Sequence, residues 1–428
     1  MSELTLPREQ RELADALLRA PGRSASTSLA TWTRPSVRLT LLFLTLTCAG
    51  LIMSASAAGT AGFVSGTLKR FALTCAGLTL FAFGASVNYQ WWRRHCWLGL
   101  GLALAGLVAV LVPGVGVQIN GARRWINPGL PCGFQPSEFA KPALCIWLAA
   151  YCERNAGRMA SFAHGFLAPS VIIGAVSLLV VVEPDLGTAV LAGTVGMTVL
   201  IVFGTRLVYV LLALAAAMPF LQKLIIDVPW RLQRVVAFID PWRDPRGSGY
   251  QLIQSKIAIG SGSLFGVGLG AGHQKAGFLP GAENDFIFSV VAEELGFIGC
   301  LVVVALFLFM LWEALKVVLH SRDPFGFGLA LGLATLLGLQ AVVHVAVVTG
   351  SVPTKGLSLP FISAGGSSLL ASMLAAGILV NIARAEERPE AWPLKPWQDD
   401  LPAYERVIRA LLRPHAKRCA EAAQRMTG

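Results

Sequence analysis

Four short polar clusters interrupt an otherwise apolar chain, and each carries side chains suited to phosphate or sugar chemistry. The first is Gly121-Ala122-Arg123-Arg124-Trp125-Ile126-Asn127, followed by Gln135-Pro136-Ser137-Glu138-Phe139-Ala140-Lys141. Arginine offers a planar fork of donors that matches phosphate oxygens, so Arg123 and Arg124 are candidate substrate contacts. Trp125 is of a type favoured at membrane interfaces. Glu138 and Lys141, three apart, share a helix face; they can meet substrate or pair with each other. The second cluster, Glu183-Pro184-Asp185-Leu186-Gly187-Thr188, puts two carboxylates in one short turn. They could bind a cation, accept sugar hydroxyls or hold Lys141, and Asp185 equally suits a helix cap.

The third cluster is Pro280-Gly281-Ala282-Glu283-Asn284-Asp285-Phe286-Ile287-Phe288. Asp285 ends a long loop and opens an apolar segment. A carboxylate there can act as a general base, and partial burial would raise its pKa to a useful value. Its competing role is an N-cap. Glu293 lies about two turns deeper, as expected of a supporting residue paired with another helix, and Glu294 points away from Asp285. The fourth cluster runs Pro353-Thr354-Lys355-Gly356-Leu357-Ser358-Leu359-Pro360, then Phe361-Ile362-Ser363-Ala364-Gly365-Gly366-Ser367-Ser368. Lys355 in a tight turn can pair with a carboxylate or a diphosphate, and Ser363 is a further substrate contact. Gly365 and Gly366 allow close backbone approach. His344 is expected to be a satisfied interior histidine.

The elements that position these clusters follow from composition. Of 428 residues, 55% are hydrophobic and 14% charged, and the mean hydropathy is +0.63. Soluble domains average about 25% charged residues, which excludes an ordinary cytosolic enzyme, a coiled coil or a disordered chain. The pattern predicts an all-α polytopic integral membrane protein with ten transmembrane helices, near 38–58, 70–89, 97–117, 138–151, 166–182, 187–204, 206–226, 286–311, 325–349 and 361–383. Each needs about 20 apolar residues to cross a core of about 30 Å; the fourth and fifth are short and are expected either to begin inside the bilayer or to lean on neighbours.

The net charge of +11 suggests nucleic acid, but its distribution points to a membrane instead. With the N-terminus inside, 22 of the 35 Lys and Arg fall in the tails and inner loops, and five in the short outer segments: Lys69, Arg70, Arg123, Arg124 and Lys355. Both termini are therefore expected in the cytoplasm. The expected domains are a cytoplasmic tail over 1–37, a membrane domain over 38–384 and a second cytoplasmic tail over 385–428. The first tail, with five arginines, lacks the apolar core of a cleavable signal. Loop 227–285, between helices seven and eight, is the one long outer loop. Its stretch Trp230–Ile239 predicts a helix lying in the membrane interface, stopped by Asp240-Pro241-Trp242. An apolar Gly-rich stretch then returns toward the membrane. The eight cysteines include no CxxC pair, so neither a disulfide framework nor a zinc site is suggested. Gly266-Val267-Gly268-Leu269-Gly270-Ala271-Gly272 imitates a phosphate loop but follows no predicted strand, so it fails the context that motif requires.

The stretches GARRWI…QPSEFAK, EPDLGT, AFIDPW…YQLIQSKIAIGSGSLFGVGLG, NDFIFSVVAEELGFIG and PTKGLSLPFISAGGSS occur in this order across residues 38–384. Together they resemble the SEDS family of bacterial cell-wall proteins (shape, elongation, division and sporulation). The lysine of PTKG, Lys355, resembles the division members more than the elongation members. Two positions depart from the family: Ala364 stands where Tyr is common, and Glu183 where Gln is common.

The resemblance implies a SEDS fold and a peptidoglycan glycosyltransferase. Such an enzyme polymerises lipid II, the undecaprenyl-diphosphate disaccharide-pentapeptide, at the outer face of the inner (cytoplasmic) membrane, here for the division septum. It places the family's essential aspartate at Asp285. It implies a class B penicillin-binding protein (an FtsI-like transpeptidase) as partner, with divisome regulators such as FtsQ, FtsL and FtsB and the surrounding membrane lipids, and no nucleic acid. Arg123, Arg124 and Lys355 would neutralise the leaving diphosphate. No dedicated metal cage is visible, although a divalent cation, Mg2+ or Mn2+, could assist. Two other functions compete. A lipid II flippase would carry its ionisable groups near the midplane on broken helices, whereas here they gather toward one face. A non-catalytic division scaffold would tolerate loss of the Asp285 carboxylate.

Overall fold

The computed structural model describes residues 34–57, 59–119, 122–126, 133–275 and 277–387. The two tails therefore lie outside the described residues except where they join the first and last helices. All ten predicted positions carry a helix. They are α1 (Pro35–Ala57), α2 (Gly59–Ser86), α4 (Cys96–Leu111), α5 (Pro136–Arg154), α6 (Ala168–Val182), α7 (Leu186–Val202), α8 (Leu207–Ile226), α11 (Ile287–His320), α12 (Pro324–Val348) and α13 (Gly366–Glu387). A short α3 (Tyr89–Arg94) links α2 to α4, and a π-helical turn, Phe162–Leu167, leads into α6. Seven of the described helices are long and apolar enough to cross a membrane. Of the ten, those outside the seven are α4, α5 and α7, of 16, 19 and 17 residues. At 1.5 Å per residue, 16 residues reach about 24 Å, short of a full hydrocarbon core. The chain is a multi-pass membrane protein by these helices.

Burial separates the helices. Leu207–Ile226 is almost wholly exposed, whereas α5, α12 and α13 are mostly buried and form the centre. The α2–α13 crossing is close because it uses small residues. A Cβ on Gly377 would collide with the Phe81 carbonyl oxygen, and one on Gly84 would lie 2.9 Å from that of Leu374. Polar ties gather at the two ends of the bundle. At one end Ser36 donates to Glu387, Gln90 to Asp323, and Arg38 pairs with Glu313. The described chain thus enters and leaves the bundle at the same end. The four chemical clusters lie at the opposite end.

Three features depart from the sequence expectation. First, the outer segment after α4 is a two-stranded antiparallel hairpin, β1 (Gly116–Ile119) with β2 (Ala122–Ile126), so the fold is not purely helical. The third helix accordingly stops at Leu111. Second, α2 begins eleven residues earlier than predicted, so Lys69 and Arg70 are helical rather than in an outer turn. Arg70 is buried and donates to the carbonyl oxygens of Phe361 and Ile362. Third, α11 is interrupted at Gly296, whose φ of 68° suits glycine. The Gly-rich stretch fills that break. Val267 and Gly268 donate to the Glu293 and Glu294 carbonyl oxygens, and Phe297 and Ile298 donate to those of Ser263 and Leu264. Backbone groups freed by the break are thereby satisfied, as an apolar surround demands.

Loop 227–285 holds α9 (Pro229–Ile239) and α10 (Tyr250–Ser261). Asp240 then caps a single 3-10 turn by accepting from the Trp242 N–H at 3.1 Å.

Candidate active site

A cavity of about 570 Å3 opens among the clustered segments. Its walls come from β2 (Ala122, Arg124, Trp125), the start of α5 (Gln135, Glu138), the α6–α7 turn (Pro184), α9 (Trp230, Arg234), Asn284 and Asp285, and the 349–365 loop with the start of α13 (Lys355, Ser358, Ser368). Six segments, most of them far apart in sequence, thus converge on one volume.

Asp285 is half-buried and faces this cavity. It is not the cap of α11; that position is Phe286, and it makes no side-chain cap bond. The turn bearing Asp285 is fixed by the Asn284, Asp285 and Phe286 N–H groups, which all donate to the Gly281 carbonyl oxygen. Ser363 holds it from behind. Its hydroxyl accepts from the Leu359 N–H at 2.7 Å and donates to the Asn284 carbonyl oxygen at 2.7 Å, while the Ala364 N–H donates to that of Glu283. Burial pushes the Asp285 carboxyl up to about 6, against the opposing pull of Arg234. A carboxylate with that pKa, free of capping duty and facing a polar cavity, can accept a proton near neutral pH.

Positive charge surrounds it. The Arg124 guanidinium donates from Nε to the Glu183 carbonyl oxygen at 3.0 Å and from Nη2 to that of Pro184, and Nη1 stands 3.9 Å from Asp185. Asp185 caps α7, accepting from the Thr188 N–H at 3.1 Å and its hydroxyl at 2.9 Å. Lys355 lines the cavity, and its chain passes beside Gly187. Burial lowers its pKa while Asp185 opposes that shift. Arg234 adds a third cation and also donates to the Thr354 carbonyl oxygen at 3.4 Å.

The remaining predicted site residues divide. Trp125 and Glu138 line the cavity; Arg123, Lys141, Glu183, Asp185, Glu293 and Ser363 do not. Lys141 is buried beneath it, 2.9 Å from Glu138 and 3.0 Å from the Gln340 amide oxygen. It is therefore held by Glu138, not by Asp285 or the second cluster. The Gln340 amide nitrogen carries the network on to the Ser358 carbonyl and Ser368 hydroxyl oxygens. Arg123 neighbours Arg124 on β2, whose pairing with β1 is irregular at this point, and of the two only Arg124 lines the cavity. Glu293 accepts from the His273 N–H at 2.7 Å and so anchors the Gly-rich loop rather than another helix. Glu294 pairs with Lys275 at 2.6 Å and takes the Ser56 hydroxyl. Ser363 is engaged by the Leu359 N–H and the Asn284 carbonyl oxygen behind the Asp285 turn.

The sequence reading missed Gln340, although an amide amid the apolar run Leu339–Val343 was a visible signal of cost. Arg234 was visible only as part of an interfacial helix.

Among the described residues no group of three His, Cys, Asp or Glu converges as a metal site. Asp185 is committed to its cap, and the Glu183 side chain lies outside the cavity wall. Among the described residues, the carboxylates around the cavity do not form a cage for a divalent cation.

The FtsW/RodA/SpoVE family of cell cycle proteins matches residues 37–388. A relative from Trichlorobacter lovleyi named "Probable peptidoglycan glycosyltransferase FtsW" is 42% identical over 86% of this chain and 95% of its own length. The stage V sporulation protein E of Bacillus subtilis is 38% identical over 82% of this chain and 98% of its own. Among solved structures, a chain from a peptidoglycan synthase complex that coordinates polymerization and crosslinking matches with a TM-score of 0.69 at 29% identity, covering 81% of this chain and 97% of that one. Thermus thermophilus rod shape determining protein RodA matches with a TM-score of 0.62 at 28% identity, covering 81% and 96%.

Proposed function

This chain belongs to the FtsW/RodA/SpoVE family of cell cycle proteins, and from that premise we propose that the cavity around Asp285 is the active site of a peptidoglycan glycosyltransferase of the FtsW type, polymerising lipid II for the division septum. The observation that carries this reading is a half-buried carboxylate without capping duty, facing one polar cavity together with Arg124, Arg234 and Lys355.

The chemistry follows from that arrangement. The acceptor sugar presents its 4-hydroxyl to Asp285, which takes the proton. The freed oxygen attacks the anomeric carbon of the donor strand, inverting it from α to β. The bond to the lipid diphosphate breaks, and the electron pair leaves with the phosphate oxygen. Negative charge grows on that group, and the cations available to it from this chain are Arg124, Arg234 and Lys355. Fixed donors aimed at developing charge lower such barriers most when they need no reorganisation. Arg124 is fixed by the two carbonyl oxygens it holds. Trp125 and Trp230 add aromatic wall on which a sugar ring can rest.

On this reading the substrate's lipid stays in the bilayer while its sugars enter the cavity at the outer face of the inner membrane, and the bias of Lys and Arg toward the tails and inner loops supports cytoplasmic termini. A class B penicillin-binding protein, FtsI-like, would crosslink the product, with FtsQ, FtsL and FtsB as regulators; the likeness to a chain of a peptidoglycan synthase complex supports such a partner.

Proteoliposomes carrying lipid II in one leaflet, with the cognate partner present, test the reading. The account expects glycan polymer from lipid II facing the cavity, without transfer between leaflets. Transfer without polymer would favour a flippase, and neither product would favour a scaffold.

A further inference from the structure

Glu183 is an ionisable group beside the cavity that the reaction above does not use. Its side chain is fully buried, and neither carboxyl oxygen has a hydrogen-bond partner among the described residues. A buried carboxylate left alone in this way is costly, and such a group neutralises instead. Arg124 stands beside it yet spends its donors on the carbonyl oxygens of Glu183 and Pro184, not on the Glu183 carboxyl. Asp185 is occupied by Thr188 and reaches Arg124 only at 3.9 Å.

The other charged groups around this turn are accounted for. Lys355 comes from the 349–365 loop and feels Asp185, Arg234 comes from α9, and Asp285 from its own turn. Glu138 and Lys141 of α5 pair with each other. Burial, with Asp185 adding to it, pushes the Glu183 carboxyl up to about 8 against the pull of Arg124.

We propose that Glu183 is a positioning residue that works as a neutral acid, leaving the Arg124 charge free for the diphosphate when protonated and claiming that charge when ionised. The proposal rests on the polymerase reading for what Arg124 does. Its structural part, a neutral carboxyl at Glu183, stands apart from that reading. Ionisation releases one proton to solvent and needs no covalent step.

The expected behaviour is an alkaline fall in polymerisation set by Glu183. With a midpoint near pH 8, the protonated fraction falls from about 0.9 to about 0.1 between pH ~7 and pH ~9, so the rate should fall roughly tenfold. Glu183→Gln keeps the shape and cannot ionise. Its rate ratio across the same interval should be below about threefold, with any titration of Lys355 common to both proteins. The fall should lie in kcat more than in KM, because the affected charge meets the leaving group.

Infrared difference spectra of the substrate-free protein over the same pH interval give a readout independent of turnover. Wild type should lose the carbonyl band of a protonated carboxylic acid, and Glu183→Gln should lack that loss. Equal alkaline falls in both proteins, or no such band in wild type, would overturn the proposal. Failure of wild type to polymerise at any pH would instead count against the polymerase reading, and the infrared titration would still decide the state of Glu183.

Discussion

Replacing Lys141 by Met removes the cation from a buried three-residue network and leaves its shape nearly intact. Lys141 is 3% exposed, Glu138 8%, and they stand 2.9 Å apart. At an effective dielectric constant of 20, unit charges at that distance attract by about 6 kcal/mol. Desolvation of both ions cancels most of this, so the pair contributes little net stability. Breaking it is another matter, because Glu138 would keep a buried charge and the Gln340 amide oxygen would lose its donor. Losses of about 3–5 kcal/mol follow from removing one partner of such a pair. One kcal/mol corresponds to roughly 2–4 °C in a domain of 150–250 residues and less in a larger one, so the unfolding midpoint should fall by about 5–10 °C. Thermal unfolding in detergent, followed by tryptophan fluorescence, measures this. Glu138→Gln with Lys141→Met should recover about 2–4 kcal/mol of the single-mutant loss, since no uncompensated ion remains. Additive losses, or a Lys141→Met protein as stable as wild type, would refute the reasoning.

Other consequences are as direct. A base must be ionised to accept a proton, so turnover should rise with pH through the value near 6 to which burial pushes Asp285. A pH–rate profile flat from pH ~5 to ~7 would contradict that. Ser363→Ala orphans the Leu359 N–H and the Asn284 carbonyl oxygen; it should destabilise by about 1–3 kcal/mol and lower kcat more than it raises KM in steady-state polymerisation. Gly296→Ala puts a Cβ against the Gly266 N–H and the Leu264 carbonyl oxygen in a left-handed backbone position. It should dislodge the Gly-rich loop, seen as faster proteolysis or hydrogen exchange over 263–275.

The helical frame was legible because apolar runs about 20 residues long have few other uses. Their ends were less so, because the determinants are tertiary. The segment from Phe361 was expected to be helical, yet Phe361 to Ser363 form a turn gripped by Arg70 and Asn284, and α13 begins at Gly366. The break at Gly296 was hidden for a similar reason. A single glycine in an apolar run resembles ordinary helix packing, and only the docked Gly-rich loop makes the interruption affordable. In the site, Asp285 stood out by its position at the loop–helix junction. Side-chain direction was not readable, so Arg123 and Arg124 looked equivalent, although only Arg124 lines the cavity. Lys141 looked available for substrate, whereas burial and two partners commit it to the interior.

The most direct test of the central claim is polymerisation of purified lipid II by the detergent-solubilised protein with its class B partner, wild type beside Asp285→Asn. The account predicts long glycan strands from wild type and a loss of about 100-fold or more from a variant whose unfolding midpoint matches wild type. Strands from Asp285→Asn within about tenfold of the wild-type rate would remove Asp285 as the base.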